Sequence, residues 1–127
     1  MIWYTKAAQQ YAVALCCELP STKCCVVIVD SYERKTAIDD FAKLASERDD
    51  VTINEWCHRA RIQFSNGSEI YIVPPRESWS GLRMHLLIVD DQMDDIVLRD
   101  CFIHNEIPPL LQRPVERNER YNEGDNK

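Results

Sequence analysis

The stretch that most restricts the fold is Leu86-Leu87-Ile88-Val89, an apolar run that ends abruptly in Asp90-Asp91. No polar residue alternates within it, so it suits a strand covered on both faces, as at the centre of a parallel sheet. Ligands of open α/β sheets gather outside the carboxyl ends of the strands, which puts Asp90 and Asp91 where such folds carry out chemistry. An acidic pair delivered by a buried strand is one way nucleotide-hydrolysing folds hold the water shell of magnesium. A helix cap is the competing reading, since Asp also ends strands that lead into helices.

A second apolar run, Cys24-Cys25-Val26-Val27-Ile28-Val29, reads as another buried strand, ending at Asp30. Before it, residues 2–18 set Ile2, Trp3, Ala7, Tyr11, Ala14 and Leu15 near one face at helical spacing, and this helix is expected to stop at Glu18, ahead of Pro20. After it, Asp30 or Ser31 can cap a helix from about Glu33 to Glu47 with Ala37, Ile38, Phe41, Leu44 and Ala45 as its buried stripe. Val51-Thr52-Ile53 is expected to form a short strand. From Cys57 to Phe64 a further strand turns Ala60, Ile62 and Phe64 to one face and Arg59, Arg61 and Gln63 to the other. Asn66-Gly67 suits the positive φ angles of a type I′ turn and Glu69 to Val73 returns, which predicts a hairpin from about Arg59 to Val73. Met93 to His104 reads as a helix, and residues 113–127, nearly all polar, as a disordered tail. The expected architecture is one α/β domain over residues 1–112, with a mostly parallel central sheet, an antiparallel β-hairpin and flanking helices.

Charge and cysteine usage narrow the function classes. Net charge is −6, from 21 acidic and 15 basic residues, and no Lys/Arg cluster offers a footprint for a phosphate backbone. Direct nucleic-acid binding is therefore disfavoured. No apolar segment reaches the ~20 residues that cross a bilayer and no secretory leader is visible, so a soluble, cytoplasmic chain is expected. The six cysteines read as small buried hydrophobes in a reducing compartment. A zinc site from Cys16, Cys17, Cys24 and Cys25 would need C-x₂₋₄-C spacing, which vicinal pairs do not supply.

The order of helix, buried strand, helix, hairpin and acid-terminated buried strand resembles the ATPase domain of phage terminase large subunits. Ile62-Gln63-Phe64-Ser65-Asn66-Gly67-Ser68-Glu69-Ile70 looks like that family's hairpin, and Ser80-Gly81-Leu82-Arg83 with Leu86-Leu87-Ile88-Val89-Asp90-Asp91 looks like its Walker B region. The resemblance spans about Lys23 to Asp95 and implies a truncated P-loop NTPase core of phage or prophage origin. It would put Asp90 at the magnesium-associated aspartate and Asp91 at the water-activating glutamate, one methylene too short for that work. The phosphate-cradling G-x-x-x-x-G-K-[ST] is absent, and Met1 falls at what would be the helix after that loop, so the loop and its feeding strand are both expected to be missing.

The resulting expectation is a non-catalytic protein that binds another protein, either a packaging component or a host defence factor, with Arg76, Trp79 and Arg83 as the binding anchor. The alternative is a magnesium-dependent nuclease or weak nucleotide hydrolase using Asp90, Asp91, Asp94 and Asp95, joined by Glu69 or Glu77. His58, His85 and His104 match no nucleophile motif and read as structural. An unpaired sheet edge would leave room for a homodimer.

Overall fold

A chain with two fully apolar strand segments must cover both, and the fold is organised around that demand. The structure, a computed structural model, describes residues 2–75 and 84–92. Eight elements follow one another: β1 (Ile2–Trp3), α1 (Lys6–Glu18), β2 (Lys23–Val27), α2 (Ser31–Ser46), β3 (Thr52–Trp56), β4 (Arg59–Gln63), β5 (Glu69–Val73) and β6 (Leu86–Val89). The protein is thus α/β, with the six strands in one mixed sheet of order β1-β6-β2-β5-β4-β3. Pairings β1 to β6, β6 to β2 and β2 to β5 are parallel, whereas β5 to β4 and β4 to β3 are antiparallel.

The centre of the sheet lies at β2 and β6, where Cys24 to Val27 and Leu86 to Val89 are all buried. Alternation splits their side chains between two cores. Cys24, Val26, Leu86 and Ile88 meet Ala8, Ala12, Val13 and Cys16 of α1 and Ala37, Ile38, Phe41 and Ala45 of α2 in the larger one. Cys25, Val27, Val73, Leu87 and Val89 form the smaller core on the opposite face. Cys16 and Cys24 touch across the helix–sheet interface at 3.7 Å and remain thiols, as do the other described cysteines. Their mutual hydrogen bond, with burial, pushes the Cys16 thiol far up, which keeps it neutral and inert. Among the described residues, no helix is long and apolar enough to cross a membrane.

The first helix differs from the periodicity. Ile2 and Trp3 are strand residues paired with Ile88 and Val89, and α1 starts only after Thr5, whose hydroxyl accepts the Ala8 N–H at 2.9 Å. Its buried stripe is Ala8, Gln9, Ala12, Val13 and Cys16, which leaves Tyr11 52% exposed. A ready-made edge on β6 outbids one extra helical turn for Ile2 and Trp3, because each pairing on a buried strand satisfies backbone groups that water cannot reach. By contrast, α2 follows expectation: Asp30 caps it through the Glu33 N–H at 2.9 Å, and Ala37, Ile38, Phe41 and Ala45 face inward.

Both hairpins carry unexpected turns. The strand expected from Cys57 begins at Arg59, because Cys57 (φ 46°) and His58 (φ 63°) form a two-residue turn joining β3 to β4. Positive φ at both central positions is the type I′ pattern, here without glycine. Arg34, buried on α2, holds that turn: its Nε donates to the His58 carbonyl and its Nη1 to the Ile28 carbonyl, each at 2.6 Å. The Asn66-Gly67 turn is not type I′. Only Gly67 is left-handed (φ 89°), with its N–H on the Phe64 carbonyl at 3.1 Å and the Phe64 N–H on the Ser68 carbonyl at 2.8 Å, which makes a three-residue loop with a glycine bulge. Asn66 is held out of the left-handed region because its side chain is occupied, Nδ2 donating to the Cys16 carbonyl at 2.8 Å and Oδ1 accepting from the Ser68 N–H at 3.0 Å.

The His58 turn is strained, and Arg34 is what keeps it in place. His58→Gly is expected to raise stability by about 0.5–1 kcal/mol, whereas Arg34→Ala lowers it by about 2–4 kcal/mol through stranded carbonyls. Urea unfolding monitored by circular dichroism checks both; a neutral Arg34→Ala contradicts the role given to the guanidinium.

Candidate functional site

All strands but β4 run the same way, so the carboxyl ends of β1, β6, β2, β5 and β3 line one rim of the sheet. Asp90 leaves β6 on this rim. It is fully buried, and its N–H donates to the Val27 carbonyl at 2.9 Å. Its carboxylate is turned onto backbone: Oδ2 accepts the Val29 N–H at 3.1 Å and Oδ1 the Gln92 N–H at 3.2 Å. The first contact ties the loop after β2 to β6, and the second closes an Asx turn after β6. Asp91 is nearly buried and accepts from the Gln92 side chain at 3.3 Å. Both acids are brought to the expected end of the sheet; Asp90 closes turns there, and Asp91 meets the Gln92 side chain.

The junction of β1 with α1 lies beside them. Two residues, Tyr4 and Thr5, make the whole connection. The Tyr4 N–H donates to the Val89 carbonyl at 2.8 Å, its ring is completely enclosed and packs against Phe41, and its hydroxyl accepts from Gln9. A strand therefore does precede the first helix, contrary to expectation. A phosphate loop of eight residues between strand and helix has no counterpart at this junction.

Other proposed participants lie elsewhere. Glu69 opens β5 at the amino end of the sheet, about 13 Å along the strand from Val73, so it cannot join the Asp90 rim. It is instead the centre of a polar group on the sheet face opposite the helices. Oε1 accepts from Lys23 at 2.9 Å and from the Tyr71 hydroxyl at 2.6 Å, while Oε2 accepts from Gln63 at 3.3 Å and faces Arg61 at 3.6 Å. Burial pushes this carboxyl up, but the Tyr71 hydroxyl and the Lys23 charge outweigh it and hold it below the usual range. Burial and the Glu69 carboxylate together push Tyr71 up to about 12.

His85 accepts the Lys23 N–H through Nδ1 at 3.0 Å, and His58 belongs to the β3–β4 turn, so both are structural. Among the described residues, no group of three His, Cys, Asp or Glu is placed to hold a metal ion. Arg76, Glu77, Trp79, Arg83, Asp94, Asp95, Cys101 and His104, with the helix expected from Met93 and the tail from residue 113, lie outside the described residues. A cleft of about 220 Å³ between α1 and α2, lined by Lys6, Gln9, Asp40, Lys43 and Glu47 among others, shares no residue with the rim.

No protein-family model, curated protein or solved structure matches the chain.

Two exposed hydrophobic side chains stand on the rim, beside exposed polar residues such as Asp30, Ser31 and Gln92. Tyr32, in the first turn of α2, is 85% exposed, and Val29, two residues beyond β2, is 40% exposed. Neither residue was singled out from the sequence. Their signal was present only in combination, since an apolar residue flanking a capped helix start is solvent-facing once Arg34 has claimed the inward position on that turn.

Two expected outcomes follow from these contacts. Asp90→Ala leaves the Val29 and Gln92 amides without their acceptor and lowers stability by about 2–4 kcal/mol, while millimolar magnesium leaves the thermal midpoint of the parent protein unchanged; a magnesium-dependent rise contradicts the structural role of Asp90. Because the folded-state Glu69 carboxyl titrates below its ordinary value of 4.5, its stabilisation is complete above that value and is lost as pH falls through the folded one. Denaturation at pH steps from about 5 to 3 should show a smaller acid loss in Glu69→Gln than in the parent protein, and equal losses would contradict the assignment.

Proposed function

We propose that the protein is a non-catalytic binding protein, a degenerate relative of the terminase ATPase core, that engages another protein through the rim at the carboxyl ends of its strands. Support for the non-catalytic part comes from the closed turns. A nucleotide needs backbone N–H groups free to meet its phosphates and a carboxylate free to order magnesium water. The Val29 N–H meets Asp90 instead, and the Asp90 carboxylate is occupied by two amides.

The observation that carries the binding part is the exposure of Tyr32 and Val29 on a rim whose buried carboxylate, Asp90, is already taken up by backbone amides. Tyrosine offers a large contact area at small conformational cost and is over-represented among residues that dominate interface energetics. Arg76, Trp79 and Arg83 lie outside the described residues and stay in the proposal on their residue types alone. The partner is then a phage packaging component or a host defence factor, as the resemblance implies. The cluster of Asp90, Asp91, Asp94 and Asp95 gains no support as a metal site from the two members described, since each already has hydrogen-bond partners.

Calorimetric titration with ATP and magnesium is expected to give no binding heat, and a dissociation constant in the micromolar range, about −8 kcal/mol, contradicts the proposal. Affinity capture from host or infected cells with the parent chain and a Tyr32→Ser, Val29→Ser double variant of equal thermal stability tests the surface. Loss of about tenfold or more in recovered partner is expected, and unchanged recovery contradicts it.

A further inference from the structure

The outer edge of the sheet at β3 differs from every other strand. All five of its residues are exposed, and among the described residues its one sheet neighbour is β4. The opposite edge, β1, is only two residues long. Natural edge strands are blunted by proline, lysine, a bulge or brevity. Thr52-Ile53-Asn54-Glu55-Trp56 has no proline or lysine, and its register with β4 runs unbroken through all five positions. Its single charge, Glu55, is met by Lys35 from α2 at 2.8 Å. Ile53 is 39% and Trp56 48% exposed.

The turn decides which backbone groups are free. In a two-residue hairpin the residues flanking the turn, Trp56 and Arg59, exchange hydrogen bonds. Alternation then directs the N–H and C=O groups of Trp56, Asn54 and Thr52 to β4, and those of Ile53 and Glu55 outward.

We propose that β3 is the contact strand of a homodimer, in which two copies pair antiparallel through it about a two-fold axis at Asn54. A two-fold pairing that keeps the sheet faces matched can be centred on Ile53, Asn54 or Glu55. Centring on Glu55 opposes two carboxylates. Centring on Ile53 carries Trp56 past the end of the second β3, opposite Asp50. Centring on Asn54 aligns all five residues, uses every outward N–H and C=O of Ile53 and Glu55 in both copies, and lays Trp56 against Thr52 of the second copy. Aromatic and β-branched neighbours of this kind favour strand pairing. Two paired five-residue strands bury less than the ~1,200 Å² of a standard interface, which places the dimer among weak, transient contacts. This inference is independent of the rim and of any nucleotide.

Sedimentation velocity of the full chain up to about 500 μM, high enough to populate a weak, transient contact, should show a monomer–dimer equilibrium. Asn54→Lys places two ammonium groups opposite each other at the axis and weakens dimerisation at least ~10-fold, with only a small loss in thermal midpoint, since the new side chain is exposed although it also faces Arg61 on β4. Register is tested by cross-linking in a background lacking Cys57 and Cys101. Non-hydrogen-bonded opposing residues have Cα atoms about 4.5 Å apart, within disulfide range. Oxidised glutathione should therefore convert Asn54→Cys to a covalent dimer, two protein thiols being oxidised as one glutathione disulfide is reduced to two thiols, while Thr52→Cys, displaced from the axis, lags at least ~10-fold. A chain monomeric at the highest concentration, an unaffected Asn54→Lys, or Thr52→Cys cross-linking as fast as Asn54→Cys each overturns the proposal; strand addition by a different protein to a monomeric chain is among the outcomes that do so.

Discussion

Everything in this fold answers to the position of β2. It pairs in parallel with β5 on one side and β6 on the other, and four of its five residues are buried. Parallel pairing forces long connections and cover on the sheet faces, because backbone and side chains at the centre have no water to turn to. The two helices supply that cover on one face through small residues, Ala8 and Ala12 from α1 with Ala37 and Ala45 from α2, which allow close approach to the strands. Phe41 and Tyr4 fill the wider space beside them, with ring centres 6.4 Å apart.

The cost of a central parallel strand appears at its two ends, where ladder bonds stop and side chains must take over the backbone groups. At the amino end, the Thr22 N–H donates to the Ser68 hydroxyl, which in turn donates to the Leu19 carbonyl, and His85 takes the Lys23 N–H. At the carboxyl end, Arg34 serves the Ile28 carbonyl and Asp90 the Val29 N–H. Each is a side chain doing what water does for an exposed turn, and unmade bonds of this type cost about 1–3 kcal/mol. A carboxylate placed where nucleotide-hydrolysing folds keep magnesium is here a backbone acceptor. With both ends closed this way, Tyr32 and the β3 edge stand out as exposed parts of the described surface.

Much of the framework was legible because its signals are local. The apolar run of β6, the Arg59 to Val73 hairpin with its Ala60 and Ile62 face, and the Asp30-capped α2 each depend on one period or one capping residue. The misses share a different cause. Ile2 and Trp3 fit a helical stripe, and only the distant Ile88 and Val89 make them a strand. Cys57 and His58 carry no turn residue, and their left-handed geometry is held by Arg34, 24 residues away. Asn66-Gly67 announced a turn, but its type was chosen by the Cys16 carbonyl that claims the Asn66 amide. The role of Asp90 was hidden for the same reason: a carboxylate at a strand end reads alike whether it faces a metal or the Val29 N–H.

The closed carboxyl rim is tested most directly by amide hydrogen exchange at Val29 and Gln92, read with and without magnesium and ATP. Bonds from these amides to a buried Asp90 carboxylate predict protection at Val29 close to that of the β2 amides, partial protection at Gln92, and no change when nucleotide is added. Exchange at the rate of an open loop, with slowing on addition of magnesium and ATP, would mean that the rim is free to receive a triphosphate and would contradict the closed-turn arrangement.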